Sequence, residues 1–313
     1  MILVCGEALV DLVPVPCGDE GGYVPRGGGS SYNVAIGLGR LGVPVGFVGR
    51  VSRDHFGRML RERLTSNGVD VRYLLEGDEA TTLAVVHFES DSEPEFAFYG
   101  EGTADRTIRE DELPADFPSD VRALHFGSIS LVREPAASAF EACMRREHRR
   151  RVLSLDPNVR PSLIRDRDAY VDRLAGWVSL VDLVKISRAD LRWLYPGRSP
   201  EDVAHEWLGL GPGMVVVTRG GEGAAAVGLR GAAEVDGVPV DVADTVGAGD
   251  AFTSGLLAWL EASGRLDRSR LRALDHVEIR EGLAFANSVA ALACTRAGAE
   301  PPSRADMEAA GVA

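Results

Sequence analysis

Short runs of aliphatic and β-branched residues alternate along this chain with longer stretches in which apolar positions recur every three or four residues. The runs predict strands at 2–4, 45–48, 123–126, 152–155, 183–186 and 214–217, and the periodic stretches predict helices near 32–42, 55–67, 134–149, 163–176, 200–209, 249–262 and 275–295. Uniformly apolar strands separated by such helices are those of a mostly parallel sheet covered on both faces. Two regions break the alternation, roughly 8–26 and 79–100. In the second, 82–88 and 95–99 read as a hairpin around 89–92, which periodicity alone would leave as a surface decoration. No internal repeat or long linker divides the 313 residues, so one domain over 1–313 is expected, and 45% hydrophobic content is ample for its core.

Charge and residue usage narrow the function. A formal net charge of −13 argues against nucleic acid or an anionic membrane surface as the main partner. Lys185 is the only lysine, so no Gly-Lys-Ser/Thr phosphate loop exists, and the HRD and DFG tripeptides of protein kinases are also missing. Phosphates handled here would be met by arginine, backbone amides and metal. Cys5, Cys17, Cys143 and Cys294 have no zinc or CxxC spacing and are expected as reduced thiols in the cytoplasm. The opening apolar run has no basic leader and is broken by Glu7 and Asp11, so it reads as a buried strand rather than a signal peptide. No segment is long enough to span a membrane. The six histidines lack a ligand spacing, and Tyr170, Trp177 and Trp193 fit packing roles.

Candidate chemistry concentrates at Asp244-Thr245-Val246-Gly247-Ala248-Gly249-Asp250, a glycine-bearing turn that runs into an apolar helix. Free N–H groups gather at such a helix start and attract an anion, and Asp250 among them can take a proton from a hydroxyl. An Asp there also serves as an ordinary cap, and glycines there also mark an ordinary turn. Gly37-Leu38-Gly39-Arg40-Leu41-Gly42 matches GxGxxG but closes a helix and precedes a strand, which is the wrong setting for a dinucleotide.

The 244–250 turn resembles the C-terminal signature of the ribokinase-like (PfkB) carbohydrate kinases. Gly27-Gly28-Gly29-Ser30-Ser31-Tyr32-Asn33-Val34-Ala35, followed by Leu38-Gly39-Arg40-Leu41-Gly42, resembles their N-terminal signature. The resemblance runs from Gly6 to about Gly298 and implies an α/β, ribokinase-like three-layer sandwich: a central mostly parallel sheet flanked by helices, with the 8–26 and 79–100 segments as a small β-rich lid. It further implies ATP, Mg²⁺ and in some relatives K⁺, with a sugar as acceptor. The lid's strand edges suggest a homodimer through it.

By that resemblance Asp250 is the base, the amides of Gly247, Ala248 and Gly249 bind the transferring phosphoryl, and Arg160, in Asp156-Pro157-Asn158-Val159-Arg160-Pro161, clamps it. Asp11, in Gly6-Glu7-Ala8-Leu9-Val10-Asp11, would bind sugar hydroxyls with Asn33 and Tyr99, while Gly28 and Gly29 let the backbone approach the sugar. Ser187-Arg188-Ala189-Asp190 stands where the family has NxxE, a departure at both ends; Ser187 and Asp190 are placed by the nucleotide and its Mg²⁺. Thr218, Gly220, Gly223 and Asn287 would hold ATP, and Asp244 and Thr245 a monovalent cation.

The GEALVD and DPNVRP segments resemble fructokinases and imply fructose going to fructose 6-phosphate. Gly100 occupies the place of an arginine found in fructokinases and ketodeoxygluconate kinases, which weakens an acidic sugar; ribose and nucleosides stay open. A different class, a sugar- or nucleotide-binding regulator without transfer, is permitted by the altered 187–190 segment and opposed by the intact Gly-Ala-Gly-Asp.

Overall fold

A computed structural model describes residues 1–17, 20–87 and 95–312. Its larger sheet has ten strands. Nine lie side by side in the order Ala232–Val235, Ala224–Gly228, Met214–Thr218, Leu183–Ser187, Val152–Asp156, Ala123–Gly127, Ile2–Cys5, Val45–Ser52 and Val69–Asp70, and Leu74–Gly77 pairs with the far end of Val45–Ser52. All pairings are parallel except those of Ala224–Gly228 with its two neighbours.

Each expected strand is present, extended by a residue or more, and each expected helix is present with ends displaced by a few residues. The strands were legible because both of their faces are buried. Ile2 and Val4 pack into the apolar layer on one side of the sheet and Leu3 and Cys5 into the layer on the other, all fully covered. The first layer is closed by Ser30–Arg40, Ala248–Ala262 and His276–Cys294, the second by Ala136–Glu147, Arg167–Val178 and Pro200–Leu210. Helix starts follow local chemistry: Asp275 and Glu278 form a reciprocal capping box, and Ser199 accepts from Asp202 N–H ahead of Pro200. Tyr170 and Trp177 are buried in the second layer, with Trp193 packed partly against it.

A second, four-stranded sheet runs Glu20–Gly28, Leu9–Cys17, Leu83–His87, Glu95–Tyr99. Leu83–His87 and Glu95–Tyr99 pair antiparallel as expected, whereas Leu9–Cys17 joins Leu83–His87 in parallel. Phe88 and the expected turn at 89–92 lie outside the described residues.

The topology dictates where a ligand can sit. Ile2–Cys5 lies between Val45–Ser52 and Ala123–Gly127, so the chain leaves it in one direction and returns on the other side. Such a reversal opens a crevice beyond the carboxyl ends of the strands. Glu7, Ser128 and Arg160 all follow those ends.

Candidate active site

One pocket in this crevice is lined by Glu7, Asp11, Asn33, Phe98, Arg160 and Asp250, among others. Asp250 is its chemical centre. Gly247, in the left-handed region at φ 78°, caps the helix Ala248–Ala262, so Asp250 is the third helical residue and its side chain makes no cap. Its oxygens instead reach a second helix: Ser30 Oγ donates to Oδ1 at 2.7 Å and Asn33 Nδ2 to Oδ2 at 2.8 Å. Asn33 is therefore not a cap either; Gly29 begins its helix. Asn158 Nδ2 stands 3.5 Å from Oδ1. Burial pushes the Asp250 carboxyl up to about 6, held from going further by the Ser30 and Asn33 hydrogen bonds and by Lys185. A carboxylate with this value is ionised at neutral pH and basic enough to accept a proton.

The turn before it presents donors. Ala248 N–H is taken by Thr245 O at 3.2 Å, which removes it from the expected anion site. The N–H groups of Gly247, Gly249 and Asp250 have no protein acceptor among the described residues and collect at the helix start. The amides left available at this helix start are thus those of Gly247, Gly249 and Asp250, while that of Ala248, which was expected among them, is engaged within the turn.

Arg160 lines the same pocket. Its Nη1 donates to Asn158 Oδ1 at 2.6 Å and to the carbonyls of Asn158 and Val159, each at 3.2 Å. That grip fixes the guanidinium and leaves its other nitrogens for an anion.

Asp11 follows the first strand, within the next one, Leu9–Cys17, and it lines the pocket. Burial pushes its carboxyl up to about 7 against the pull of Arg160. Gly28 serves it directly, since a Cβ there would overlap the Asp11 carboxylate; Gly29, which does line the pocket, has φ 104°. Glu7, also raised to about 7 by burial, accepts from Ser31 N–H and Oγ, each at 3.3 Å.

Tyr99 is the clearest correction. It is 66% exposed and lines only a neighbouring cavity, while Phe98, the next residue back, lines both that cavity and Asp250's pocket. Strand alternation sends the two side chains to opposite faces, and the sequence alone did not say which face looks inward. Cationic side chains lie near Gly100: the Arg106 guanidinium donates to the Gly100 carbonyl, and Arg106 and Arg133 line that neighbouring cavity with Tyr99.

Two of the expected nucleotide residues, Ser187 and Thr218, end adjacent strands. Ser187 ends Leu183–Ser187 and accepts from Asp190 N–H at 2.9 Å as the cap of Arg188–Leu194. Thr218 ends the next strand, followed by Gly220 and Gly223 at φ 60° and 97°. Asn287 donates from Nδ2 to Asp236 O at 3.0 Å, tethering the loop before the active-site turn. Asp244 joins two loops, accepting from Val246 N–H at 3.0 Å and Gly298 N–H at 2.8 Å, while Thr245 uses its carbonyl on Ala248.

Three residues escaped the sequence reading. Ser30 sits three positions before Asn33, one helical turn away on the same face, and that spacing was a usable signal. Asn158 lies two residues before the arginine that was singled out. Lys185, the sole lysine, stands in an otherwise apolar strand, which was signal enough to ask what charge it meets.

The chain matches the family model described as pfkB family carbohydrate kinase over residues 1–306. It is 39% identical over 284 residues to a fructokinase of Rhizobium leguminosarum bv. trifolii, covering 90% of this chain and 86% of the relative. Its structure is similar to fructokinase with bound ATP from Xylella fastidiosa, with TM-score 0.90, 30% identity and coverage of 98% and 97% of the two chains. It is also similar to fructokinase from Vibrio cholerae O395 in its fructose, ADP and calcium ion bound form, with TM-score 0.81, 30% identity and coverage of 95% and 94%.

Proposed function

Since this chain belongs to the pfkB family of carbohydrate kinases and transfers phosphate from ATP to a sugar hydroxyl, we propose that its acceptor is fructose and its product fructose 6-phosphate. The observation that carries the mechanism is the Asp250 carboxylate, held by Ser30 and Asn33 beside three free amides at a helix start. Asp250 takes the proton of the sugar hydroxyl as its oxygen attacks the γ phosphorus. The Gly247, Gly249 and Asp250 amides and Arg160 meet the charge that spreads over the transferring group. Asp11 and Asn33 orient the sugar, and the four-stranded sheet covers it as a lid on a single kinase unit, with Phe98 as its inward wall.

Thr218, Gly220, Gly223, Ser187, Asp190 and Asn287 form the nucleotide side. Asp190 suits a neighbouring Mg²⁺, because burial and the charge of Asp156 both push its carboxyl up, and a cation relieves that. Mg²⁺ held beside Asp190 would supply charge neutralisation to the nucleotide's phosphates. K⁺ beside Asp244 and Thr245 would rigidify the turn that Asp244 already ties to Gly298.

A second acceptor is favoured by the guanidiniums of Arg106 and Arg133. The latter is pulled below its ordinary value by burial and by its neighbours Arg106 and Arg165, a crowding that an anion relieves. That acceptor is an acidic ketose such as 2-keto-3-deoxygluconate. The test is ADP release with ATP and Mg²⁺, in K⁺ or Na⁺, across fructose, 2-keto-3-deoxygluconate, ribose, glucose, adenosine and aminoimidazole riboside. Fructose is expected to give the highest kcat/KM, and more so in K⁺. Preference for the acidic sugar would replace fructose, and equal rates in the two salts would remove the K⁺ role.

Tyr23 at 55% and Tyr99 at 66% exposure lie on the edge strands of the small sheet, which supports a homodimer through the lid. Light scattering should give twice the monomer mass; a monomer at every working concentration would overturn the pairing. The thiols of Cys5, Cys143 and Cys294 are unpaired, which supports work in the cytoplasm. Recovery of the protein in a periplasmic fraction would contradict that placement.

A further inference from the structure

Among 34 lysines and arginines, one lysine alone is set in the interior, and it stands beneath the active-site turn. Lys185 is 5% exposed, between apolar neighbours on Leu183–Ser187. Its Nζ lies 2.7 Å from Asp156 Oδ2, and Thr253 Oγ1, one turn along the Asp250 helix, is 3.5 Å from the same oxygen. A Cβ on Gly249 would fall 3.0 Å from that Nζ, so the ammonium packs directly under a residue whose N–H is free for an anion.

Stability does not explain the pair. A buried ion pair loses much of its Coulombic gain to desolvation, and well-packed apolar residues of the same volume often do as well. Nor does Lys185 line the sugar pocket. What it adds is a fixed positive charge at the place where negative charge gathers during transfer.

We propose that Lys185 is a positioning residue for phosphoryl transfer: its ammonium, held by Asp156 beneath Gly249, supplies the buried positive charge against which the Asp250 carboxylate and the anion-binding amides work. This rests on the reading of Asp250 as the base. The groups that face the ammonium are Asp156 from the neighbouring strand, His125 from the strand beyond it, Asp190 from Arg188–Leu194 and Asp250 from its own helix. Those around Asp250 are Lys185, Asp156, Asp11 and the neutral donors Ser30, Asn33 and Asn158, with Arg160 and Glu7 across the pocket. Asp156 and Asp11 disfavour the Asp250 carboxylate and Lys185 favours it, so loss of Lys185 leaves the repulsion unopposed on that side.

The test is the pH dependence of kcat in the whole enzyme with ATP, Mg²⁺ and saturating sugar, for the parent and Lys185→Met. The parent should lose activity as pH falls through about 6, where Asp250 takes up its proton. In Lys185→Met the midpoint should move up by about one pH unit and kcat at pH 7 should fall at least about tenfold, with sugar KM changed by less than about twofold. A folded Lys185→Met protein with parental kcat, or one whose kcat falls equally at every pH, overturns the inference. If the lone Asp156 carboxylate prevents folding, Lys185→Met with Asp156→Asn removes both charges. That pair should still lose about tenfold in kcat with a smaller shift of the midpoint, and parental kcat in it would also overturn the inference. A parent without the acid limb, together with an active Asp250→Asn protein, would instead fail the assignment of Asp250 as base.

Discussion

The Asp250→Asn protein is expected to fold with near-parental stability and to turn over sugar about a thousandfold more slowly, a loss of about 4 kcal/mol of transition-state stabilisation. The geometry separates the two effects. An amide oxygen in place of Oδ1 still accepts from Ser30 Oγ, which is 2.7 Å away. The new amide nitrogen would face the Asn33 nitrogen, but Asn33 Oδ1 is buried without a partner, and rotating that amide by half a turn presents it as the acceptor. Packing therefore survives, while the group that accepts the proton is gone. The acid limb near pH 6, which reports the Asp250 carboxyl, should vanish with it. ADP release and the urea unfolding midpoint measure both halves. Parental turnover in the variant would remove Asp250 from the chemistry, and an unfolded variant would show that its two hydrogen bonds act mainly in folding.

Arg160→Met should lower kcat about a hundredfold and raise the sugar KM as well. The kcat effect follows from the guanidinium's fixed position: Asn158 and the Val159 carbonyl hold Nη1, and the remaining donors face the pocket that contains Asp250. The KM effect follows from Asp11. Its carboxyl is already raised to about 7 by burial, and Arg160 is the charge that opposes the rise. Without that charge more Asp11 is protonated at neutral pH and fewer carboxylates accept from sugar hydroxyls. Arg160→Lys should recover part of the KM and little of the kcat, because an ammonium restores charge without the planar fork. Steady-state kinetics with varied fructose separates the two; an unchanged kcat would assign Arg160 to sugar binding alone.

The sheet was legible because burial on both faces writes an almost continuous apolar run, as in Ile2–Cys5 and in Met214–Val217 of Met214–Thr218. Ala224–Gly228 and Ala232–Val235 were not, since alanine and glycine carry no strand preference and the pairing with Met214–Thr218 supplies the order. Arg188–Leu194, at seven residues, is too short for a helical period to show, although its Ser187 cap was among the residues noticed. The site divides in the same way. The turn that carries Asp250 and the turn that carries Arg160 are local, and their residues could be named. Which side chains meet is not local: Ser30 and Asn33 lie 220 and 217 residues from the carboxylate they hold. The inward turn of Phe98 in place of Tyr99, and the fit of Asp11 against Gly28, depend on strand register, which a sequence pattern leaves open by one residue.

The most direct test of the account is the identity of the phosphorylated product when the protein is given ATP, Mg²⁺ and fructose, followed by ³¹P and ¹³C NMR, with Asp250→Asn beside it. Fructose 6-phosphate and ADP in equal amounts from the parent, with product formation lost in the variant, is the predicted result. Equal product from both proteins would contradict the role of Asp250, and no phosphorylated fructose from folded, ATP-binding parent would contradict the assignment of fructose as the acceptor.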